Sequence, residues 1–148
     1  MAIYTRNEIL TEIGRQVIES DPDLQHLNYI RIGYQTSDGA KKAGEKVVYA
    51  DCTKISDKQA AFTGVDFIIT FYLENLRGMS EEGLRRIMFH ELLHVGVDVD
   101  GKRTIVPHDV EDFRECIDRW GTDWAEDCRT GDPKGSVLGQ LSFEEVGE

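Results

Sequence analysis

Phe89-His90-Glu91-Leu92-Leu93-His94 is the stretch whose reading decides the fold. Two histidines four positions apart stand on one side of a helix, about one turn from each other, so their imidazoles can converge on a single metal ion. The glutamate between them projects beside that position, within reach of a proton on a bound water. The surrounding sequence agrees with a helix. Ser80 is suited to the N-cap, and Glu81 and Glu82 favour the first turn through the helix dipole. Leu84, Ile87, Met88, Phe89, Leu92, Leu93 and Val95 leave little polar face, which is the pattern of a central, buried helix. Such a helix holds its side chains rigidly, as a metal site requires. Gly96 is expected to end it.

A third ligand must come from elsewhere, because a catalytic zinc usually keeps three protein ligands and one open position. The chain has four histidines, His26, His90, His94 and His108. His108 alone follows the motif and is the expected third ligand. Glu111, Asp112 and Glu115 are acidic rivals, since a glutamate on a following helix serves in some zinc sites. In a chain with 28 acidic residues, however, an extra carboxylate ordinarily marks a solvated face. Of Asp109 and Asp112, one is expected to cap the last helix and one to orient a ligand imidazole through its second ring nitrogen. His26 reads as a surface residue.

Around this centre the sequence predicts an α+β domain. Residues 7–19 carry Ile9, Leu10, Ile13, Val17 and Ile18 at helical spacing, and Asp21-Pro22-Asp23 stops that helix. Residues 29–36 and 47–52 read as strands, with a Gly- and Lys-rich loop at 37–46 between them. Residues 55–63 read as a connection with some helical turn. The apolar run 65–73 is a third strand, suited either to a sheet edge that receives substrate or to a central position. Residues 97–106 read as a hairpin turning at Asp100-Gly101. A last helix announced by Pro107 and Asp109 has Val110, Phe113, Ile117 and Trp120 as its core stripe, extended by Trp124. Residues 131–148 read as a flexible tail behind a single domain over 1–130.

Composition narrows the function classes. The chain has 148 residues and a formal net charge of −11, with 40% hydrophobic and 30% charged residues, as a soluble globular domain has. Its basic residues occur only in short pairs, Lys41-Lys42, Arg85-Arg86 and Lys102-Arg103, so no nucleic-acid stripe is expected. No apolar run is long enough to span a bilayer. The start, Met1 to Glu8, has no apolar h-region. Cys52, Cys116 and Cys128 are an odd number without a C-x-x-C pair, which excludes a cysteine zinc ribbon and fits a reducing cytoplasm.

The motif and the later segment Pro107-His108-Asp109-Val110-Glu111-Asp112-Phe113 resemble the SprT-like and Spartan-type zincins, which follow H-E-x-x-H with a third histidine in an H-G-x-x-F-like segment. In size and order, and in Tyr49-Ala50-Asp51-Cys52 before the motif, the chain is closer still to the family of small phage proteins called "Putative phage metallopeptidase". The resemblance spans about residues 45–120. It implies a minimal zincin-like fold, with an N-terminal helix and a small mixed β-sheet packed on the buried motif helix and a helix at the C-terminal end. It also implies Zn2+ held by His90, His94 and His108, with Glu91 as the catalytic glutamate. Asp109 replaces the usual glycine. The zinc ribbon and the basic DNA-binding surface of the Spartan type are absent, which argues against DNA-linked proteolysis.

The expected activity is hydrolysis of a peptide or protein substrate, with Tyr34, Tyr49 and Tyr72 as candidates to steady the oxyanion. The expected partners include neither nucleic acid nor membrane, and the expected location is the host cytoplasm. Two rivals stand beside this reading. One is a non-catalytic zincin-fold module that binds a peptide or regulator. The other is a protease directed at one toxin or repressor.

Overall fold

The computed structural model describes residues 2–108, 112–121 and 124–128. Asp109, Val110, Glu111 and the expected tail at 131–148 lie outside them. The architecture is mixed α+β, built on a four-stranded sheet. Its strands are β1 (Tyr4–Arg6), β2 (Ile32–Ser37), β5 (Ala50–Lys54) and β6 (Phe67–Tyr72), in the order β1-β2-β6-β5. β1 runs antiparallel to β2, β2 parallel to β6, and β6 antiparallel to β5. Tyr34 faces Ile69 across the parallel pair, and Cys52 faces Ile69 from the other side.

β6 is therefore interior, which decides between the two positions open to residues 65–73. Its residues are buried on both faces of the sheet, with Phe67, Ile69 and Phe71 fully so, and continuous apolarity is what an interior strand needs. The free edge beside it belongs to β5.

α1 (Glu8–Ser20) forms where the periodicity predicts it. Asn7 caps it, its side chain accepting from Leu10 N at 2.8 Å, while its own N–H donates to Tyr34 O at 3.1 Å. The cap thus fastens the helix to β2. Gly14 allows close approach, since a Cβ there would lie 2.4 Å from Tyr34 Cζ. A 3₁₀ segment over Pro22–Tyr29 follows, seating Leu24 and Leu27 in the core. α3 (Glu81–Leu93) carries the motif. It begins at Ser80, whose Oγ accepts from Gly83 N at 3.1 Å, and it buries Leu84, Ile87, Met88, Phe89, Glu91 and Leu92 against α1, β5 and α5. Each large apolar side chain so buried contributes about 1.5–3 kcal/mol.

Four expectations need correction. The segment 37–46 is not all loop, because β3 (Lys42–Ala43) and β4 (Lys46–Val47) pair as a small hairpin before β5. The strand expected at 47–52 accordingly starts later, at Ala50. Gly96 does not end α3. That helix stops at Leu93 with His94 as C-cap, and Gly96 lies in β7 (Val95–Val97), where a Cβ would sit 2.6 Å from Val106 Cγ2. β7 pairs with β8 (Arg103–Ile105) as the expected hairpin. The helix expected after Pro107, α4, covers Arg114–Trp120, and Cys116, not Ile117, is its fully buried residue. α2 (Asp57–Thr63) and α5 (Trp124–Asp127) complete the described elements.

Asp66, 11% exposed at its side chain, ties together the starts of β2 and β6 and the β7–β8 hairpin. It accepts from Arg31 Nη2 at 3.0 Å and lies 3.6 Å from Arg103 Nε. The hydrogen bond from the Arg31 side chain leads the effects that hold its carboxyl below the usual range. A depressed folded-state pKa adds stability above the unfolded value and loses it as pH falls through the folded one. Arg31 is largely exposed, so screening discounts the pair. Asp66→Asn is expected to lower unfolding stability by about 1 kcal/mol at pH 7, with the gap from wild type closing below about pH 4, in urea titrations at several pH values. A gap independent of pH would contradict this role.

Candidate metal centre

α3 sets His90 and His94 one turn apart, and the chain then leaves and returns. After β7 and β8, Val106 N donates to His94 O at 2.7 Å, and Val106 O accepts from His94 Nδ1 at 2.7 Å. This reciprocal pair ties the hairpin's end to the helix's end and delivers residue 108 above the motif. His108 Nε2 lies 3.1 Å from His90 Nε2 and 3.0 Å from His94 Nε2. The three rings form a group that can hold a metal ion.

Their hydrogen bonds say which atoms are available. A carbonyl only accepts, so His94 Nδ1 carries the proton and His94 Nε2 presents a lone pair. His90 Nδ1 lies 2.7 Å from Asp112 Oδ1, which fixes the same tautomer and turns a second Nε2 lone pair toward His108. Two lone pairs and a third ring nitrogen therefore meet, and a single shared proton cannot satisfy them all. A cation can. Nitrogens bound to one tetrahedral zinc ion lie about 3.3–3.4 Å apart, close to the separations here. Burial, helped by the neighbouring histidines, takes His94 down to about 4 despite its bond to Val106, so it stays in the neutral form that binds metal.

Asp112 is the acidic residue that orients a ligand candidate, one of the two foreseen for that task. Its Oδ1 also accepts from Phe113 N at 2.6 Å, and its Oδ2 accepts from Trp124 Nε1 at 2.6 Å. Burial opposes its ionised form, but the bonds from His90 and Trp124 prevail and bring it to about 2. Glu115 is drawn away to Arg119, 3.1 Å from its Nε. Glu111 lies outside the described residues. His26, exposed, borders a separate pocket behind α3.

Sequence reasoning missed the packing behind the three histidines. The Phe113 ring touches all three imidazoles, with centroids 5.3, 4.9 and 5.1 Å from His90, His94 and His108. Trp124 tilts against His90 at 5.9 Å, next to Trp120, which in turn meets Phe89 edge-on. Cys116 Sγ comes within 3.9 Å of His90 Nδ1, giving a second possible group of His90, Asp112 and Cys116. Burial pushes that thiol up, so it stays protonated, and His90 Nδ1 is engaged by Asp112. The three-histidine set is the better donor set.

Glu91 is 5% exposed, with Oε2 3.9 Å from His90 Nε2. Burial first, then the charges of Asp51 and Asp112, raise its pKa well above the ordinary value, while Lys41 counters them. A cleft of about 690 Å³ includes Glu91 in its lining, together with His90, His108, Trp124 and residues 45–50. Of the three tyrosines named as oxyanion partners, Tyr49 lines this cleft. Tyr34 is buried beneath α1, and the Tyr72 hydroxyl donates to Asp51 Oδ2 at 2.5 Å.

An α+β domain with a histidine group able to hold a metal ion beside a buried glutamate is the class that fold and site define. The family model described as "Putative phage metallopeptidase" matches residues 2–130, and the chain belongs to that family. Its description indicates a metal-dependent peptidase, hence a metal cofactor and a protein or peptide substrate. No curated protein and no solved structure matches the chain. Among the described residues, no helix is long and apolar enough to cross a membrane.

Removing Asp112 should tell on the metal. Asp112→Ala is expected to weaken zinc binding about 10–100-fold, read by competition with a chelating dye, because His90 loses the acceptor that fixes its tautomer. Wild-type affinity in that variant would show that the carboxylate is only structural.

Proposed function

We propose that this protein is a zinc-dependent peptidase in which His90, His94 and His108 hold the metal and Glu91 is the general base. The fold is read as a minimal zincin of the SprT-like kind, one domain over residues 1–130, working in the cytoplasm of a phage's host. The observation that carries this reading is the pair of outward hydrogen bonds from His90 and His94, which leave both Nε2 lone pairs facing His108 Nε2.

Zinc held there would lower the pKa of water toward about 7 and polarise a peptide carbonyl. The chain's own residues do the rest. Glu91, dry and surrounded by negative charge, takes a proton readily and can hold it until the leaving amine needs it. Asp112 and Val106 O keep the imidazoles from turning. Substrate lies extended along β5, where a sheet edge offers backbone hydrogen bonds beside the cleft. Tyr49, which lines the cleft, is the tyrosine assigned to the oxyanion.

Two variants test the reading. Glu91→Gln is expected to keep full zinc content while hydrolysis of an unfolded protein falls about 10²–10⁴-fold, the range general-base catalysis supplies. Full activity in that variant would remove Glu91 from the mechanism. His108→Ala should purify with clearly substoichiometric zinc, and unchanged stoichiometry would move the third ligand elsewhere. Wild-type protein that holds zinc but cleaves nothing would leave the non-catalytic binding module.

A further inference from the structure

The β3–β4 hairpin walls part of the cleft, since its Ala43, Lys46 and Val47 line the same cavity as His90 and His108. Two-residue strands with exposed faces have little packing of their own, and a lone hairpin of this kind is marginal in water. Something must hold it upright. Its closing pair is Lys41 and Val48, where Val48 N donates to Lys41 O at 3.0 Å. Half-buried Asn75, on the 3₁₀ turn between β6 and α3, spends both hydrogens of its amide there. Nδ2 donates to Lys41 O at 2.8 Å and to Val48 O at 2.8 Å. One side chain thus clamps both legs of the hairpin at its neck. Lys41 adds an ion pair to Asp51 at 2.6 Å, and Tyr72 N donates to Tyr49 O at 3.0 Å just beyond.

We propose that Asn75 is a positioning residue for substrate, fixing the β3–β4 hairpin as a preset wall of the cleft. Both of its amide hydrogens go to the hairpin neck rather than to a histidine or Glu91. A wall already ordered spares the substrate the cost of ordering it, so Asn75 acts on binding of the peptide rather than on the metal or the chemical step. The inference rests on the peptidase reading for its substrate, but its clamp is independent of that chemistry.

The experiment uses the full-length, zinc-loaded protein and fluorescein-labelled casein as the unfolded probe. Asn75→Ala is expected to raise KM roughly three- to tenfold, the scale of losing one or two ordinary hydrogen bonds, with kcat and zinc affinity changed less than about twofold. Hydrogen exchange at the Val48 amide should quicken in the same variant, which shows that the hairpin has loosened. Asn75→Asp keeps the shape but sets a carboxylate with no N–H against two carbonyl oxygens, so it should raise KM at least as much as Asn75→Ala. An unaltered KM despite faster exchange at Val48, wild-type behaviour of Asn75→Asp, or a parallel loss of zinc affinity would each overturn the proposal. Should zinc-loaded wild type fail to cleave casein, the peptidase reading falls. The clamp is then judged by casein binding to the same variants: weakened binding upholds it and unchanged binding overturns it.

Discussion

The site depends on the two hydrogen bonds exchanged between His94 and Val106. One is backbone to backbone and holds the returning chain against the end of α3. The other runs from an imidazole to the same residue's carbonyl and chooses the tautomer of the ring. The same residue pair therefore fixes position and protonation together. With Pro107 restricting the backbone between them, His108 is only two residues beyond that anchor and has little freedom over where it arrives. Take the lock away and the third histidine belongs to a loose strand end.

Electrostatics add a second constraint. Glu91 is buried among acidic neighbours, an arrangement that costs folding stability and is tolerable when a positive charge can be accommodated nearby. The chain does not remove the neighbouring negative charges. Asp51 is held by Lys41 and Tyr72, and Asp112 by His90 and Trp124. Each keeps a direct partner while its field still reaches the glutamate. A cavity walled in this way draws cations from solution, and the overall charge of −11 has the same sign.

What was legible in the sequence follows from how far each signal reaches along the chain. α1 and α3 announce themselves because their apolar spacing and their caps, Asn7 and Ser80, are local. His108 could be picked out because histidines are scarce. β1, β3 and β4 could not, since strands of two or three residues carry no alternation to read. Gly96 misled as a helix stop because a glycine needed for close packing and a glycine needed for a cap look alike as letters. The interior rank of β6 was half visible in its apolarity on both faces, but its neighbours are set by pairings 13 to 35 residues away. At the site, Asp112 was one of two candidates and the structure chose it. Phe113 was read as core, and it is, but its contact with three imidazoles comes from long-range packing. The carbonyl of Val106 has no letter at all, since any residue supplies one.

The aromatic arc beside His90 has an optical consequence. Trp120 and Trp124 are the only two indoles in the chain, their centroids 5.2 Å apart, and one of them also donates its N–H to the carboxylate behind His90. Tryptophan emission from this molecule therefore originates entirely at one flank of the histidine group. A paramagnetic ion seated among those rings would darken both emitters, and the protein carries its own dye for occupancy without any label being attached.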